Sequence, residues 1–390
     1  MPTMVMAWAD VAASIESLAA EWKAERPARQ ARRHLEAADF DGLRDAGFLH
    51  AAVPETEGGL WRSVAESTRP ICAALRTLAR SDPSVALVSA MHPAVIGFWL
   101  SQPDYDESSW VEQRDAVTAS AAGGARWGTI TSEPGSGGDI ARTTSVATPD
   151  NAAEPFLPGA AYRVSGNKHF GSGSGMNDFM LTTAVAQGED APAVFVLDFR
   201  DRPWDGSAGL ELLAEWDGIG MAATQSHAMR LDGCPAVRMA WPGPIEAITL
   251  AAGPLVANLF TSVILGVLDE AVETARTQLR GKAAGMRAYE QVEWSRAELD
   301  HWMAVQAFEG ALREVESGDQ MRGLYAALRA KQGIAEIAEA TLSRLVRVLG
   351  GGTFSRRSPF SAWYEDVRAL GFLRPPWGLA YDTLFLTSLS

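Results

Sequence analysis

Residues 131–139 read TSEPGSGGD and follow a short extended run that begins at Trp127. This loop has no GxGxxG spacing and no lysine after its glycines, so it indicates neither a dinucleotide-binding fold nor a P-loop. Its hydroxyls and exposed backbone N–H groups are able to bind the carbonyl edge of a planar heterocycle or a phosphate. Because a Ser/Thr/Gly loop is more often simply a turn, it predicts a ligand site only in combination with other segments.

Two further loops lie in the same region, residues 126–242, whose Gly, Ser and Thr content and short alternating runs predict strands. Residues 170–175, FGSGSG, interrupt a strand pattern with three glycines, which indicates a bulge or a close approach of the backbone to a ligand. Residues 217–221, DGIGM, with Thr224 and Ser226 after them, read as a ligand rim or as a surface turn. Two glycine-rich loops in one compact antiparallel domain favour a cofactor site.

The regions on either side predict helices, because apolar residues recur three and four positions apart. The sequence therefore predicts an α+β protein with an N-terminal helical domain at 1–125, a middle β domain at 126–242 and a C-terminal helical bundle at 243–390. A long helix at about 324–349 should end at glycines 350–352, where glycine permits a left-handed backbone.

Composition and charge exclude several classes of partner. The formal net charge of the 390-residue chain is -14, and no run of basic residues offers a phosphate-binding face, so we expect no nucleic-acid partner. The two cysteines, Cys72 and Cys234, lie far apart and in no metal-binding pattern. We therefore expect free thiols in a reducing cytoplasm and no metal site.

Membrane insertion and export are also not expected. Residues 1–10 show no export signal. Residues 247–268 are uncharged and about as long as a bilayer crossing, but Gly253 and Pro254 interrupt them, and the helical pattern runs on through Asp269. This stretch is interpreted as a buried core helix rather than a membrane span.

Taken in order, five segments resemble motifs of the acyl-CoA dehydrogenase superfamily of flavoproteins, and they cover nearly the whole chain. They are 46–49 with 53–59 (AGFL, VPETEGG), 132–139 (SEPGSGGD), 166–170 (GNKHF), 216–226 (WDGIGMAATQS), and 349–352 with 359–366 (LGGG, PFSAWYED). The resemblance implies an N-terminal helical domain, a middle antiparallel β-barrel-like domain and a C-terminal four-helix bundle, with a flavin between the last two.

The resemblance also implies residues for the flavin. Thr129, Thr131 and Ser132 would contact the flavin ring, and Phe170 and Ser172 would meet its other edge. Further along the chain, Arg276 with Gly350 and Gly351 would approach the diphosphate or adenine from a neighbouring subunit, which implies a homo-oligomer, a dimer or a tetramer. Where this chain has Gly138 the family pattern often has Ser, and where it has Arg347 the pattern often has Gln. The choice between FAD and FMN therefore stays open.

The position of the catalytic base decides between two branches of this superfamily. An acyl-CoA dehydrogenase needs a carboxylate to remove an α-proton, but the usual Glu falls on Arg374, which stays protonated. Glu246, Glu270 and Glu290 are alternative carboxylates, and none of them aligns cleanly with a relocated base. Two alternatives therefore stay open: the chain is an acyl-CoA dehydrogenase or oxidase with a relocated Glu, or it is a non-catalytic homologue.

The chain is more similar to the two-component flavin monooxygenases, in segments 170–173, 217–220 and 250–269. These enzymes receive reduced flavin from a separate flavin reductase and form a C4a-hydroperoxide with oxygen. The resemblance implies a monooxygenase that acts on a small organic substrate. The catalytic candidates are His92, Ser172 and Arg374; His92 is equally consistent with a satisfied helix histidine, and Arg374 with either an anion-binding residue or a salt bridge.

Overall fold

The computed structural model describes residues 7–102, 105–373 and 375–389. Its N-terminal α-helices are α1 (Trp8–Ala24), α2 (Arg26–Ala31), α3 (Ala37–Asp45), α4 (Val64–Ala79), α5 (Pro83–Leu100) and α6 (Ser108–Ala122). Side-chain caps determine where two of them begin: Ser63 Oγ accepts a hydrogen bond from Glu66 N ahead of α4, and Asp82 Oδ1 accepts one from Val85 N ahead of α5.

In the part of the chain that the structure describes, seven strands of one sheet follow these helices. They are β1 (Trp127–Thr129), β2 (Val146–Pro149), β3 (Ala161–Gly171), β4 (Phe179–Ala186), β5 (Pro192–Asp198), β6 (Leu210–Ala214) and β7 (His227–Arg238). Strands β4, β2, β3, β7 and β5 form a closed ring, because β4 pairs with both β2 and β5. In addition, β1 pairs with β4, and β6 pairs with β7.

The barrel-like domain expected from the sequence is confirmed, with one difference in strand direction. The pairings β1–β4 and β2–β4 are parallel, whereas the others are antiparallel. Parallel neighbours need a long connection. Here the chain between β1 and β4 contains β2 and β3, which provides that connection.

The remaining α-helices are α7 (Ile245–Arg280), α8 (Ala288–Glu316), α9 (Gln320–Leu349), α10 (Phe360–Gly371) and α11 (Trp377–Ser388). Helices α7 to α10 pack on one another as a bundle, and α7 also packs on α4 and α5. As expected, α9 ends just before the glycines at 350–352, and its cap residue Gly350 has a φ of +83°. The observed order of helices, strands and helices confirms the predicted fold class.

Among the described residues, two helices, α5 and α7, are long and apolar enough to cross a membrane by length and composition. However, 94% of the most apolar window of α5 and 78% of that of α7 are buried inside the fold. A helix that is apolar on all sides is typical of a protein core. The interpretation of residues 247–268 as a core helix therefore agrees with the packing of α7.

Candidate functional site

A cavity of about 830 Å³ lies between the barrel and the C-terminal helices, and we call it the main cavity. The barrel contributes the loop at 131–138 and the end of β3, and the helices contribute parts of α5, α10 and the start of α11. A second space of about 420 Å³, which we call the side chamber, adjoins it. The two share the lining residues Met91, Thr129, Thr131, Gly138, Phe260 and Pro376.

A buried ion pair holds the 131–138 loop against the barrel. Glu133 Oε1 lies 2.5 Å from Lys168 Nζ, and both side chains are almost fully buried. Thr143, Thr144 and Ser145 also donate hydrogen bonds to the Glu133 carboxylate. Burial by itself raises the pKa of Glu133, but the hydrogen bonds from Lys168 and the threonines outweigh it and hold the pKa well below its usual range. Glu133 is therefore a charged structural anchor.

Gly138, at the end of the same loop, lies against the segment between α10 and α11. Its φ is +82°, and a Cβ atom there would come within 2.8 Å of Pro376 Cγ. A serine at this position, as in the family pattern, would need both an unfavourable backbone and a shift of Pro376. The departure from the pattern at Gly138 thus has a packing reason in this chain.

Phe170 presents an aromatic ring to the main cavity. The residue has a φ of +57°, which is rare for a non-glycine residue, and its side chain is 59% exposed. Its ring lies 6.0 Å from that of Trp216 in an edge-to-face arrangement. A strained residue that leaves a large aromatic ring exposed in a cavity is typical of a ligand-binding position.

A row of hydroxyls lies beside Phe170. Ser172 Oγ is 2.8 Å from Ser226 Oγ, which is 2.7 Å from Thr224 Oγ1, and all three residues line the main cavity. Thr224 Oγ1 donates in turn to the carbonyl of Met221. From the sequence, Thr224 and Ser226 belong to either a ligand rim or a surface turn, and the fold brings them to the same wall as Ser172.

Helix α10 fastens the 217–221 loop to the site. Met221 N donates a hydrogen bond to Asp366 Oδ1 at 2.6 Å, and a Cβ atom on Gly220 would lie only 2.2 Å from the carbonyl oxygen of Glu365. Burial raises the pKa of Asp366 to about 7. The family pattern includes Asp366, but its role in holding this loop depends on a contact between distant segments.

Lys331, a residue that sequence reasoning missed, supports the helical wall. It is fully buried in α9, and its Nζ donates to the carbonyls of Gly371 at 2.7 Å and Pro375 at 2.9 Å. Burial lowers its pKa to about 8. Lys331 thereby joins α9 to the segment that carries Leu373 and Trp377, both of which line the main cavity. No motif in the sequence signalled this lysine.

The structure brings together all the residues that the sequence placed around the flavin ring: Thr129, Thr131, Ser132, Phe170 and Ser172 line the main cavity. They come from two separate parts of the chain, 129–132 and 170–172. Thr129 Oγ1 donates to the carbonyl of Leu181 at 3.3 Å. The two segments meet at an antiparallel bridge between Ser132 and His169, in which His169 N donates a hydrogen bond to the carbonyl of Ser132 at 2.8 Å.

His92 is not among the residues that line the main cavity or the side chamber. Its Nδ1 accepts a hydrogen bond from Trp127 N at 3.3 Å, so its Nε2 carries the proton and donates to the carbonyl of Leu49 at 3.0 Å. Burial lowers the pKa of His92 to about 4. His92 is therefore neutral near pH 7 and holds the start of β1, which carries Thr129.

The other predicted residues lie elsewhere. Arg276 pairs with Glu273 and with Glu298 on α8, and neither Gly350 nor Gly351 lines the main cavity or the side chamber. Arg374 lies outside the described residues. Among the residues that the structure describes, no group of three or more His, Cys, Asp or Glu side chains is arranged to hold a metal ion.

The chain is similar to known proteins in sequence and in overall fold. No family model matches the chain. The amino sugar nitrososynthase DnmZ of Streptomyces peucetius is 26% identical over 354 residues, which span 86% of this chain and 82% of that protein. The dibenzothiophene monooxygenase of Mycolicibacterium goodii is 27% identical over 365 residues, spanning 84% of this chain and 81% of that protein. The crystal structure of FMN-bound TdsC from Paenibacillus sp. A11-2 matches with a TM-score of 0.78 and 19% identity, covering 95% of both chains.

Proposed function

We propose that this chain uses reduced FMN to oxygenate a small organic molecule. Its similarity to the flavin monooxygenase branch of the acyl-CoA dehydrogenase superfamily supports this proposal. The observation that carries this proposal is the assembly of Thr129, Thr131, Ser132, Phe170 and Ser172 around one cavity. The reduced flavin would be delivered by a separate flavin reductase, as the homology to an FMNH2-dependent monooxygenase suggests.

The walls of the main cavity fit a flavin ring, which is planar, apolar on its faces and polar along one edge. The exposed ring of Phe170 can pack against a planar ligand, while Ser172 and the Thr129 to Ser132 segment offer hydroxyl and backbone groups to its polar edge. A volume of about 830 Å³ is within the range of small-molecule and cofactor sites. When bound and reduced, the flavin supplies the electrons that activate molecular oxygen.

The residues of the chain itself favour oxygen transfer over proton abstraction. Among the described residues that line the main cavity, Glu133 is the single carboxylate, and Lys168 and three hydroxyls engage it. The opposite wall is largely apolar, with Leu87, Met91 and Leu370. Such a wall excludes water from the reacting centre, and it offers no described carboxylate that could remove an α-proton.

Glu246 keeps the acyl-CoA dehydrogenase alternative open for a direct test. Of the three carboxylates considered, Glu246 lines the side chamber, whereas Glu270 is paired with Lys23 and Arg26, and Glu290 is bonded to the backbone N of Arg287. An acyl-CoA that reduced the bound flavin without oxygen would support this alternative. We expect no such bleaching.

The proposal is tested by loading the protein anaerobically with reduced FMN, and separately with reduced FAD, and mixing it with oxygenated buffer in a stopped-flow instrument. We expect the protein to slow flavin reoxidation with FMN more than with FAD. Reoxidation at the rate of free flavin would contradict the proposal.

Two serine substitutions distinguish an effect on the flavin site from a general effect on the fold. Ser172→Ala should weaken binding of reduced FMN roughly five-fold, since one hydrogen bond contributes about 1 kcal/mol. Ser89→Ala is the matched control, because Ser89 is also buried but does not line the main cavity or the side chamber. Equal effects of the two changes would remove Ser172 from the flavin site.

We also propose a cytoplasmic homo-oligomer, a tetramer or a dimer, in which Arg276 and the glycines at 350–351 of one subunit approach the phosphate of a flavin held by another. This agrees with the absence of any Lys or Arg among the described residues that line the main cavity. Light scattering would give the subunit number. Arg276→Ala should weaken FMN binding without changing the affinity for riboflavin, which lacks the phosphate.

A further inference from the structure

The side chamber differs from the main cavity in the chemistry of its walls. It lies between α5, α7, α9, α11 and the barrel, and the side chains that enclose it are mostly aliphatic or aromatic. Phe98, Val194, Val256 and Leu324 are partly exposed there, which leaves apolar surface available to a ligand. When apolar ligand atoms cover apolar surface of this kind, both are removed from water and the free energy of the complex falls.

The hydroxyls of Thr129, Thr249 and Thr383 add little polar surface to the chamber, because they are bonded within the protein. The Thr183 hydroxyl has no hydrogen-bond partner among the described residues, but it is buried. Thr249 Oγ1 donates to the carbonyl of Ile245 at 2.7 Å, and Thr383 Oγ1 donates to that of Leu379 at 3.0 Å. Both are bonds to the preceding turn of their own helix. A ligand with many hydroxyls would therefore lose its hydrogen bonds to water without replacing them.

The charges around the chamber are all of one sign in the part of the chain that is described. Its lining includes Asp139 and Glu246 and contains no described Lys, Arg or His. Asp139 Oδ1 accepts a hydrogen bond from Ala141 N, and Glu246 is exposed in the first turn of α7. An anionic ligand would face two carboxylates and no described cation, which disfavours its binding.

We infer that the side chamber binds an uncharged, apolar aromatic or alkyl compound, and that this class is the substrate of the oxygenation proposed above. The inference about the reaction rests on the proposed function, whereas the inference about binding does not require it. The chamber adjoins the main cavity through Thr129, Thr131 and Gly138. A sugar nucleotide, whose diphosphate needs cationic partners, does not fit this lining.

Binding of matched probes tests the inference without turnover. The protein is loaded with oxidised FMN, and the affinities for methyl phenyl sulfide, benzenesulfinate and thymidine diphosphate are measured by calorimetry. The first two share a phenyl ring and differ in charge. We expect the sulfide to bind at least about ten-fold more tightly than either anion. An anion that binds as tightly as the sulfide would overturn the inference.

Two substitutions in the side chamber test whether the sulfide binds there. Val256→Trp should fill the chamber and abolish sulfide binding, and Val305→Trp is the control, since Val305 is partly buried on α8 and does not line the chamber. Leu324→Lys adds a cation to the lining of the chamber. It should lower the ratio of the affinity for the sulfide to the affinity for the sulfinate. If Val256→Trp does not fold, Leu324→Lys still decides the assignment. Unchanged affinities in folded variants would contradict it.

The titration is repeated without FMN so that the two proposals fail separately. If the protein does not bind FMN but binds the sulfide in a manner sensitive to Val256, the proposed function fails and the apolar chamber stands. If FMN binds tightly and an anionic probe binds more tightly than the sulfide, the flavin site stands and the inferred substrate class is wrong.

Discussion

Phe170 has a strained backbone and an exposed ring. Its replacement by glycine should therefore have opposite effects on protein stability and on FMN binding. A left-handed non-glycine residue costs about 1 kcal/mol, so Phe170→Gly should leave the free energy of unfolding unchanged or raise it by about that amount. The same change removes the aromatic surface and should weaken FMN binding. Thermal unfolding and FMN fluorescence titration measure the two effects.

Phe170→Tyr is the matched control, since it keeps the ring and the strain. Its affinity for FMN and its stability should both stay close to those of the unaltered protein. A Phe170→Gly protein that bound FMN normally would show that the ring does not contact the flavin.

His92 makes a prediction about pH. Its pKa falls from 6.5 in the unfolded chain to about 4 in the fold, so its contribution to stability is present above pH 6.5 and is lost as the pH falls towards 4. The loss amounts to at most about 3 kcal/mol. His92→Gln does not titrate in this range, so the stability difference between the unaltered protein and the variant should shrink between pH 7 and pH 4.5.

Urea unfolding at several pH values measures this difference, and carboxylates that titrate in both proteins cancel in it. A difference that does not change with pH would mean that protonated His92 is accommodated in the fold. Since His92 holds Trp127 at the start of β1, FMN affinity should fall in parallel with stability in the variant.

At the scale of elements, the joint between α10 and α11 depends on α9. Lys331→Met removes both hydrogen bonds to the carbonyls of Gly371 and Pro375, and we expect the free energy of unfolding to fall by about 1 to 3 kcal/mol. Because Leu373 and Trp377 line the main cavity beside this joint, affinity for FMN should fall as well.

Lys282→Met is the control for this change, since Lys282 is exposed. It should alter neither stability nor affinity. If Lys331→Met were destabilised but bound FMN normally, the joint would matter for folding and not for the site.

At the scale of the whole molecule, Glu270 docks the first two helices onto the C-terminal bundle. Its side chain is 1% exposed, and it pairs with Lys23 at 2.8 Å, Arg26 at 2.7 Å and Arg80 at 3.4 Å. Glu270→Gln should lower the free energy of unfolding by about 1 to 3 kcal/mol, less than for a fully buried pair, because Lys23 and Arg80 are close to half exposed.

Glu211→Gln is the comparison for Glu270, because Glu211 forms an exposed pair with Arg230. Such a pair contributes at most about 1 kcal/mol. Denaturant unfolding of both variants at low and high salt measures the contrast, and equal effects would mean that the Glu270 cluster does not hold the helices in place.

Sequence alone was enough to predict the order of helices, strands and helices, the resemblance to the superfamily and the loops that form part of the cavity wall. These depend on local features: the periodicity of apolar residues, glycines where the backbone turns, and motifs such as GNKHF that include Lys168. The comparisons confirm the resemblance to flavin monooxygenases, and the cavity contains the five residues expected around the flavin ring.

The contacts between distant side chains could not be predicted from the sequence and follow from how the chain folds. The tertiary structure placed His92 against Trp127 rather than in the cavity, made β1 parallel to β4, and gave Lys331 and Asp366 their partners. It also separated an apolar chamber from the main cavity. None of this has a local signal, because the partner of a buried polar group and the sign of the charges around a cavity depend on how segments far apart in sequence pack together.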